Sequence, residues 1–77
     1  MPYLHIRVVD DKFDIVDEGC DYSELDDAHR AAIKAAGEIA LDEVVRGQPS
    51  WIVEACVEEA SGHPVDRITI AISTSNL

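Results

Sequence analysis

The stretch from Ser23 to Gly47, SELDDAHRAAIKAAGEIALDEVVRG, constrains the fold more than any other part of the chain, because no other segment is long and periodic enough for a sizeable helix. At about 100° per residue, Leu25, Ala28, Ala32, Ile33, Ala35, Ala36, Ile39 and Ala40 share one broad apolar face, with Asp27, Arg30, Lys34, Glu38 and Asp42 opposite. Ser23 and Asp26 have the spacing of a capping box, in which the serine hydroxyl accepts the Asp26 backbone N–H. Glu24, Asp26 and Asp27 put negative charge in the first turn, where the helix dipole favours it. Arg46 closes the last turn, Gly47 suits the left-handed position that follows, and Pro49 blocks continuation. Asp26–Arg30, Lys34–Glu38 and Asp42–Arg46 are opposite charges at i,i+4, each adding about 0.2–0.5 kcal/mol. Together these signals predict a helix over 24–46. Its apolar face is mostly alanine, so its axis is expected to lie close to whatever it covers. Gly37, in mid-helix, costs about 1 kcal/mol against alanine and marks either a close backbone approach or a tolerated weakness.

The flanking segments alternate with period two, the signature of half-buried strands. Over 3–9, Leu4, Ile6 and Val8 point one way and Tyr3, His5 and Arg7 the other. Asp10, Asp11 and Lys12 form a turn into a shorter strand over 13–17, with Phe13 and Ile15 inward; Gly19 then takes a positive φ. After the helix, 51–58 sets Trp51, Val53, Ala55 and Val57 against Ile52, Glu54, Cys56 and Glu58. A turn through EASGHP leads to a strand over 65–72, where Ile68, Ile70 and Ile72 form the most β-branched row of the chain. Residues 73–77 read as a frayed tail. The predicted architecture is α+β: one ββαββ domain over 1–77, two layers, with a four-stranded antiparallel sheet and one long helix on one face.

A chain of 77 residues buries only about 60–65% of its unfolded surface, so the monomer is expected to be marginally stable. Sixteen acidic against six basic residues give a net charge of −10, which argues against nucleic acid or an anionic membrane as partner. Cys20 and Cys56 stand in no C-x-x-C spacing and are expected to remain unbridged. MPYLHIRVVDD lacks the pattern of a signal peptide, and no apolar run approaches a membrane span, so a reducing cytoplasm is the expected compartment.

PYLHIRVVD, VDEG, SELDDAHRAAIKAAGEIALDE and WIVEACVEEASG occur here in an order that resembles a family of short bacterial proteins, catalogued only as a domain of unknown function. Its members look like M-P-x-Y/F-x-F-H/D-V, then a D-E-x-G turn, then a D/E-L-x-x-A-x-x-x-A helix, then a second hairpin turning at D-E-x-G-R. The matching residues are Tyr3, His5 and Ile6; Asp17, Glu18 and Gly19; Leu25, Ala28 and Ala32; and Gly62. The chain departs from the pattern at VVDDKF, and the segment from Trp51 to Gly62 is about two residues longer than usual. The resemblance implies the same order of elements and carries no activity.

No chemistry-bearing constellation stands out. His5, His29 and His63 have no partner at ligand spacing, and His29 falls at the edge of the helix's apolar face. Asp10, Asp11, Asp14, Asp17, Glu18 and Asp21 crowd the first hairpin without the spacing of a calcium loop, and read as a solvated acidic rim. Neither cysteine has a neighbouring cation to lower its pKa. No catalytic residue, cofactor or metal ligand is assigned. One feature is unusual. The sheet face away from the helix carries Tyr3, His5, Arg7, Ile52 and Cys56, and Leu41 and Val45 lie off the main helical stripe. These residues form the candidate partner surface. The expected function is therefore a non-enzymatic homo-oligomeric or protein-binding module, with a homodimer first. The alternative is a small-molecule or metal-binding protein using the acidic hairpin or the open sheet face.

Overall fold

The computed structural model describes residues 2–75. The alternating segments form strands β1 (Tyr3–Val9), β2 (Asp14–Val16), β3 (Cys20–Asp21), β4 (Ser50–Glu59) and β5 (Pro64–Ser73), and the long periodic segment forms α1 (Leu25–Val45). The sheet is antiparallel in the order β2-β1-β4-β5, and β3 pairs with β1 beyond the end of β2. The ββαββ order therefore holds, with one more strand than expected. The tail reading fails at Ser73, which belongs to β5, and its last two residues lie outside the described ones.

The extra strand arises because the edge is interrupted. The Asp17 N–H donates to the Ile6 carbonyl at 3.0 Å, and the Ile6 N–H donates to the Asp17 side chain, not to a backbone carbonyl, at 2.9 Å. The same Asp17 oxygen accepts the Gly19 N–H at 2.9 Å. One carboxylate thus bridges the break between β2 and β3. Gly19 turns there with φ +82°, as expected, and the Tyr3 hydroxyl donates to the Glu18 carbonyl at 2.7 Å. The Tyr3 and Asp17-Glu18-Gly19 segments, read above only as separate motifs, form one hydrogen-bonded unit.

α1 lies over β4 and β5, touches β1, and does not reach β2 or β3. Its buried stripe is narrower than the periodicity suggested. Ala28, Ala32, Ala36 and Ala40, four residues apart, are fully buried against Leu4, Ile6, Val8, Val53, Ala55 and Val57. Ile39, Trp51, Ile68, Ile70 and Ile72 are partly buried around them. Four expected core residues are not core, among them Phe13, which is half-buried on the hairpin and outside the core cluster. Leu25 and Ile33 are 45% and 39% exposed, because they sit on the rim of the alanine stripe. Ile15 pairs with buried Val8 and so shares its face, yet is 54% exposed because no helix covers β2. Tyr22 packs against the core near the helix start instead.

The helix start also differs. Its N-cap is Glu24, extended at φ −142° and ψ 156°, with no side-chain cap bond, so the Ser23 capping box does not form. Tyr22 N–H is tied to the Pro2 carbonyl at 2.9 Å, and the chain enters the helix one residue later than the serine requires. Ser23→Ala is accordingly expected to shift the urea midpoint by less than about 0.5 kcal/mol equivalent, where a capping serine is worth about 1. A loss near 1 kcal/mol would restore the capping box. At the other end Gly47 has φ +120°, as expected for the residue after the cap, and Asp42–Arg46 and Asp26–Arg30 pair at 2.9 and 2.8 Å.

Candidate functional site

Because side chains alternate, the helix-free face of the sheet is built from the odd residues of β1 and β5 and the even residues of β4. In register, His5 stands beside Glu58, Arg7 beside Cys56, and Cys56 beside Arg67. This face is the most charged part of the sheet, and its charges are joined. His5 Nε2 lies 2.8 Å from Glu58 Oε1, Arg7 Nε 3.4 Å from both Glu58 oxygens, and Arg7 Nη1 2.9 Å from Asp14 Oδ1. Arg67 approaches Glu54 at 3.7 Å. The Glu58 side chain is nearly covered.

Burial pushes the Glu58 carboxyl up, but the hydrogen bond from His5 and the charge of Arg7 outweigh it, so it titrates below its ordinary 4.5. The hydrogen bond to Asp14 and that carboxylate's charge hold Arg7 above its ordinary value. Asp10 behaves like Glu58. Burial raises it, and bonds from Trp51 Nε1 and the Lys12 and Phe13 N–H groups bring it below 3.8. A carboxylate depressed in the folded state contributes stability that is complete above its ordinary value and is lost as pH falls through the folded value. Wild-type stability is therefore expected to fall below about pH 4.5, and Glu58→Gln to flatten part of that fall. Urea midpoints between neutral pH and pH 3 measure it. Equal acid losses in both proteins would remove Glu58 as the source.

The candidate surface residues divide. Ile52 and Val45 are 64% and 75% exposed, and Tyr3 and Leu41 are also open. His5 and Arg7 are held in the Glu58 network. Cys56 faces this side by register but is only 7% exposed, in a run from Ala55 to Glu58 that is closed on both faces, so it is unavailable to a partner. Burial, then the charge of Glu58, push its thiol pKa up. Both cysteines are free, Cys20 exposed and Cys56 buried.

The acidic hairpin is less a rim than a set of ties. Asp10 closes its turn and binds Trp51, Asp14 pairs with Arg7, and Asp17 bridges the edge strand. Lys12 reaches Glu43 at 3.0 Å and lies 5.3 Å above the Trp51 ring, fastening the hairpin to the helix end. His29 bonds Asp66, fastening the helix start to β5. The Asx-turn spacings D-x-K and D-x-G were legible signals for Asp10 and Asp17; the long-range pairs were not. A wide, open recess of about 540 Å³ lies between Val9, Asp10, Asp11, Ser50, Trp51, Ile52 and Glu54. Among the described residues no three His, Cys, Asp or Glu side chains converge as metal ligands, and no helix is long and apolar enough to cross a membrane.

A family profile described as Domain of unknown function (DUF6894) matches residues 3–71, so the chain belongs to that family. No curated protein and no solved structure matches it.

Proposed function

We propose that this member of the DUF6894 family is a small non-enzymatic module that works by contact with another polypeptide, a second copy of itself first. One observation carries the reading. The polar groups of the outer face satisfy one another, while large apolar side chains, among them Ile33, Leu41, Val45 and Ile52, remain exposed on a chain whose net charge is −10. A core whose helix contributes four fully buried alanines leaves little apolar area to spare, and self-association adds buried area to domains of this size. Charge repulsion opposes that association at long range, so it strengthens with added salt. The reducing cytoplasm suits two free thiols. The recess beside Trp51 favours a small-molecule reading, which ranks second because Asp10 already serves Trp51 and its own turn. Sedimentation at several concentrations in low and high salt tests the proposal. A dimer that strengthens with salt is expected, and a monomer at every concentration in high salt overturns self-association.

A further inference from the structure

We propose that two copies of this chain join edge to edge through β5, antiparallel and centred on Ile70, bringing together the helix flanks that carry Ile33, Gly37 and Val44. This rests on the self-association reading and gives it a surface.

The argument begins with the backbone. The Thr74 N–H donates to the Pro49 carbonyl at 3.0 Å, and the register pairs Ser73 with Ser50 and Ile72 with Trp51. In an antiparallel ladder alternate residues bond to the same neighbour. Ile72, Ile70 and Ile68 therefore bond to β4, and Thr69, Ala71 and Ser73 present their N–H and C=O groups at the free edge, with the Arg67 carbonyl beside them; the Arg67 N–H already donates to Asp66 Oδ1 at 2.9 Å. Proline, lysine and bulges are the usual means of blunting such an edge, and none occurs from Arg67 to Ser73. The opposite edge of the sheet, by contrast, is broken into two short strands flanked by Asp14, Asp17 and Asp21.

Side chains then choose the register. With Ile70 opposite itself, Ile68 faces Ile72 of the second copy, Thr69 faces Ala71, and Arg67 faces Ser73. All three isoleucines, each only partly buried in one copy, gain an isoleucine neighbour. Centring on Thr69 would set Asp66 against Ile72, and centring on Ala71 would leave Ile68 opposite Thr74.

The helix supplies a matching seam. Ile33 lies four residues after His29, whose ring reaches Asp66 on β5, so it stands on the β5 side of the helix. Gly37 and Val44 follow on the same flank, four and eleven residues on, while Ala40 between them is turned under the helix and fully buried. Ile33 is 39% exposed, and a Cβ at Gly37 would meet nothing in this copy, so the structure of one chain gives no reason for a glycine there. Four residues of strand, from Asp66 to Ile70, span about 13 Å, which equals roughly nine residues of helix and, counted from His29, ends beside Gly37. The axis through Ile70 thus brings the two Gly37 positions, which carry no side chain, near each other. With α1 over β4 and β5, the two helix axes stand about 10–14 Å apart, close to packing distance.

Charge permits the contact. From Arg67 to Ser73, and on Ile33, Gly37 and Val44, there is no carboxylate in a chain of net charge −10, and Asp66 is held by His29 and by the Arg67 N–H. Seven paired residues give a strip of about 23 Å. Across a molecule whose shorter Cα extents are 21 and 15 Å, that amounts to on the order of 1,000 Å² for both copies, the low end for a specific pair, so micromolar affinity is expected.

Sedimentation equilibrium of the wild type, Thr69→Pro and Ile33→Lys tests the pairing, with circular dichroism to check each fold. Thr69 bonds outward, so a proline there spares the β4 ladder while removing a seam donor; Ile33→Lys puts a charge on an already exposed site. A dimeric wild type is expected, with the dissociation constant raised about tenfold or more in both variants. Amide exchange at Thr69, Ala71 and Ser73 should slow as the wild type is concentrated. A dimeric wild type matched by equally dimeric variants overturns this surface and spares self-association, whereas a monomeric wild type overturns both. If Thr69→Pro does not fold, Ile33→Lys and the exchange data decide.

Discussion

Ala36→Leu is expected to destabilise the fold by about 3 kcal/mol, the upper end for an overpacked core site. Ala36 is fully buried at the middle of the stripe that also holds Ala28, Ala32 and Ala40, in the same core cluster as Val53 and Val57. A leucine there has no space to enter. The helix must lift from β4, and lifting it strips contact from all four alanines at once, since packed interiors leave few voids. A chain of 77 residues at about 0.05–0.15 kcal/mol per residue has roughly 4–12 kcal/mol of stability, so the loss is a large fraction of the whole. Leu41→Ala, at an exposed helical position, is the control and should cost little. Urea denaturation compares the two. Equal midpoints would mean that the helix does not depend on the close approach that the alanines allow.

The alanine face shows what was legible in the sequence and what was not. Period and charge located the helix to within a residue at each end, and alternation placed four strands. A broad apolar arc, however, does not say which meridian meets the sheet. The sheet supplied large side chains along β1, β4 and β5, so the helix presented its smallest row, and Ile33 and Leu25 were left at the rim. Ile15 was misplaced for a related reason. Its alternation was right, but one helix covers only about two strands, and nothing local reveals which strand lies beyond its reach.

The charged groups follow the same division. Asp10 and Asp17 act on residues two away, through a spacing visible in the sequence. The His5–Glu58, Lys12–Glu43 and His29–Asp66 pairs span 53, 31 and 37 residues and depend on strand order, which local pattern does not determine. The acidic hairpin accordingly looked like a solvated rim, and three of its carboxylates proved to be structural. The candidate surface lost Cys56 to a run of residues closed on both faces, and kept Ile52, Leu41 and Val45 because simple alternation and helical period govern those positions.

Gly19→Ala is expected to cost about 2–4 kcal/mol, for two separable reasons. The backbone at Gly19 has φ +82°, a conformation that costs an L-residue about 1–2 kcal/mol. A Cβ there would also stand 2.9 Å from the Leu4 carbonyl oxygen and 3.0 Å from the Tyr3 ring. The Leu4 carbonyl cannot retreat, because β1 is paired on both sides, with β4 and with β3. The turn must therefore move, and with it go the Tyr3 hydroxyl bond to Glu18 and the Asp17 bridge to Gly19. Gly62 separates the two reasons. Its φ is +90°, but a Cβ there would meet nothing within 4 Å, so Gly62→Ala should show the backbone cost alone. At about 4–8 °C per kcal/mol for a domain of this size, the two variants should melt several degrees apart, with Gly19→Ala the lower. Melting temperatures within a degree of each other would show that the turn accommodates the methyl group and that the contact with β1 is not what requires glycine.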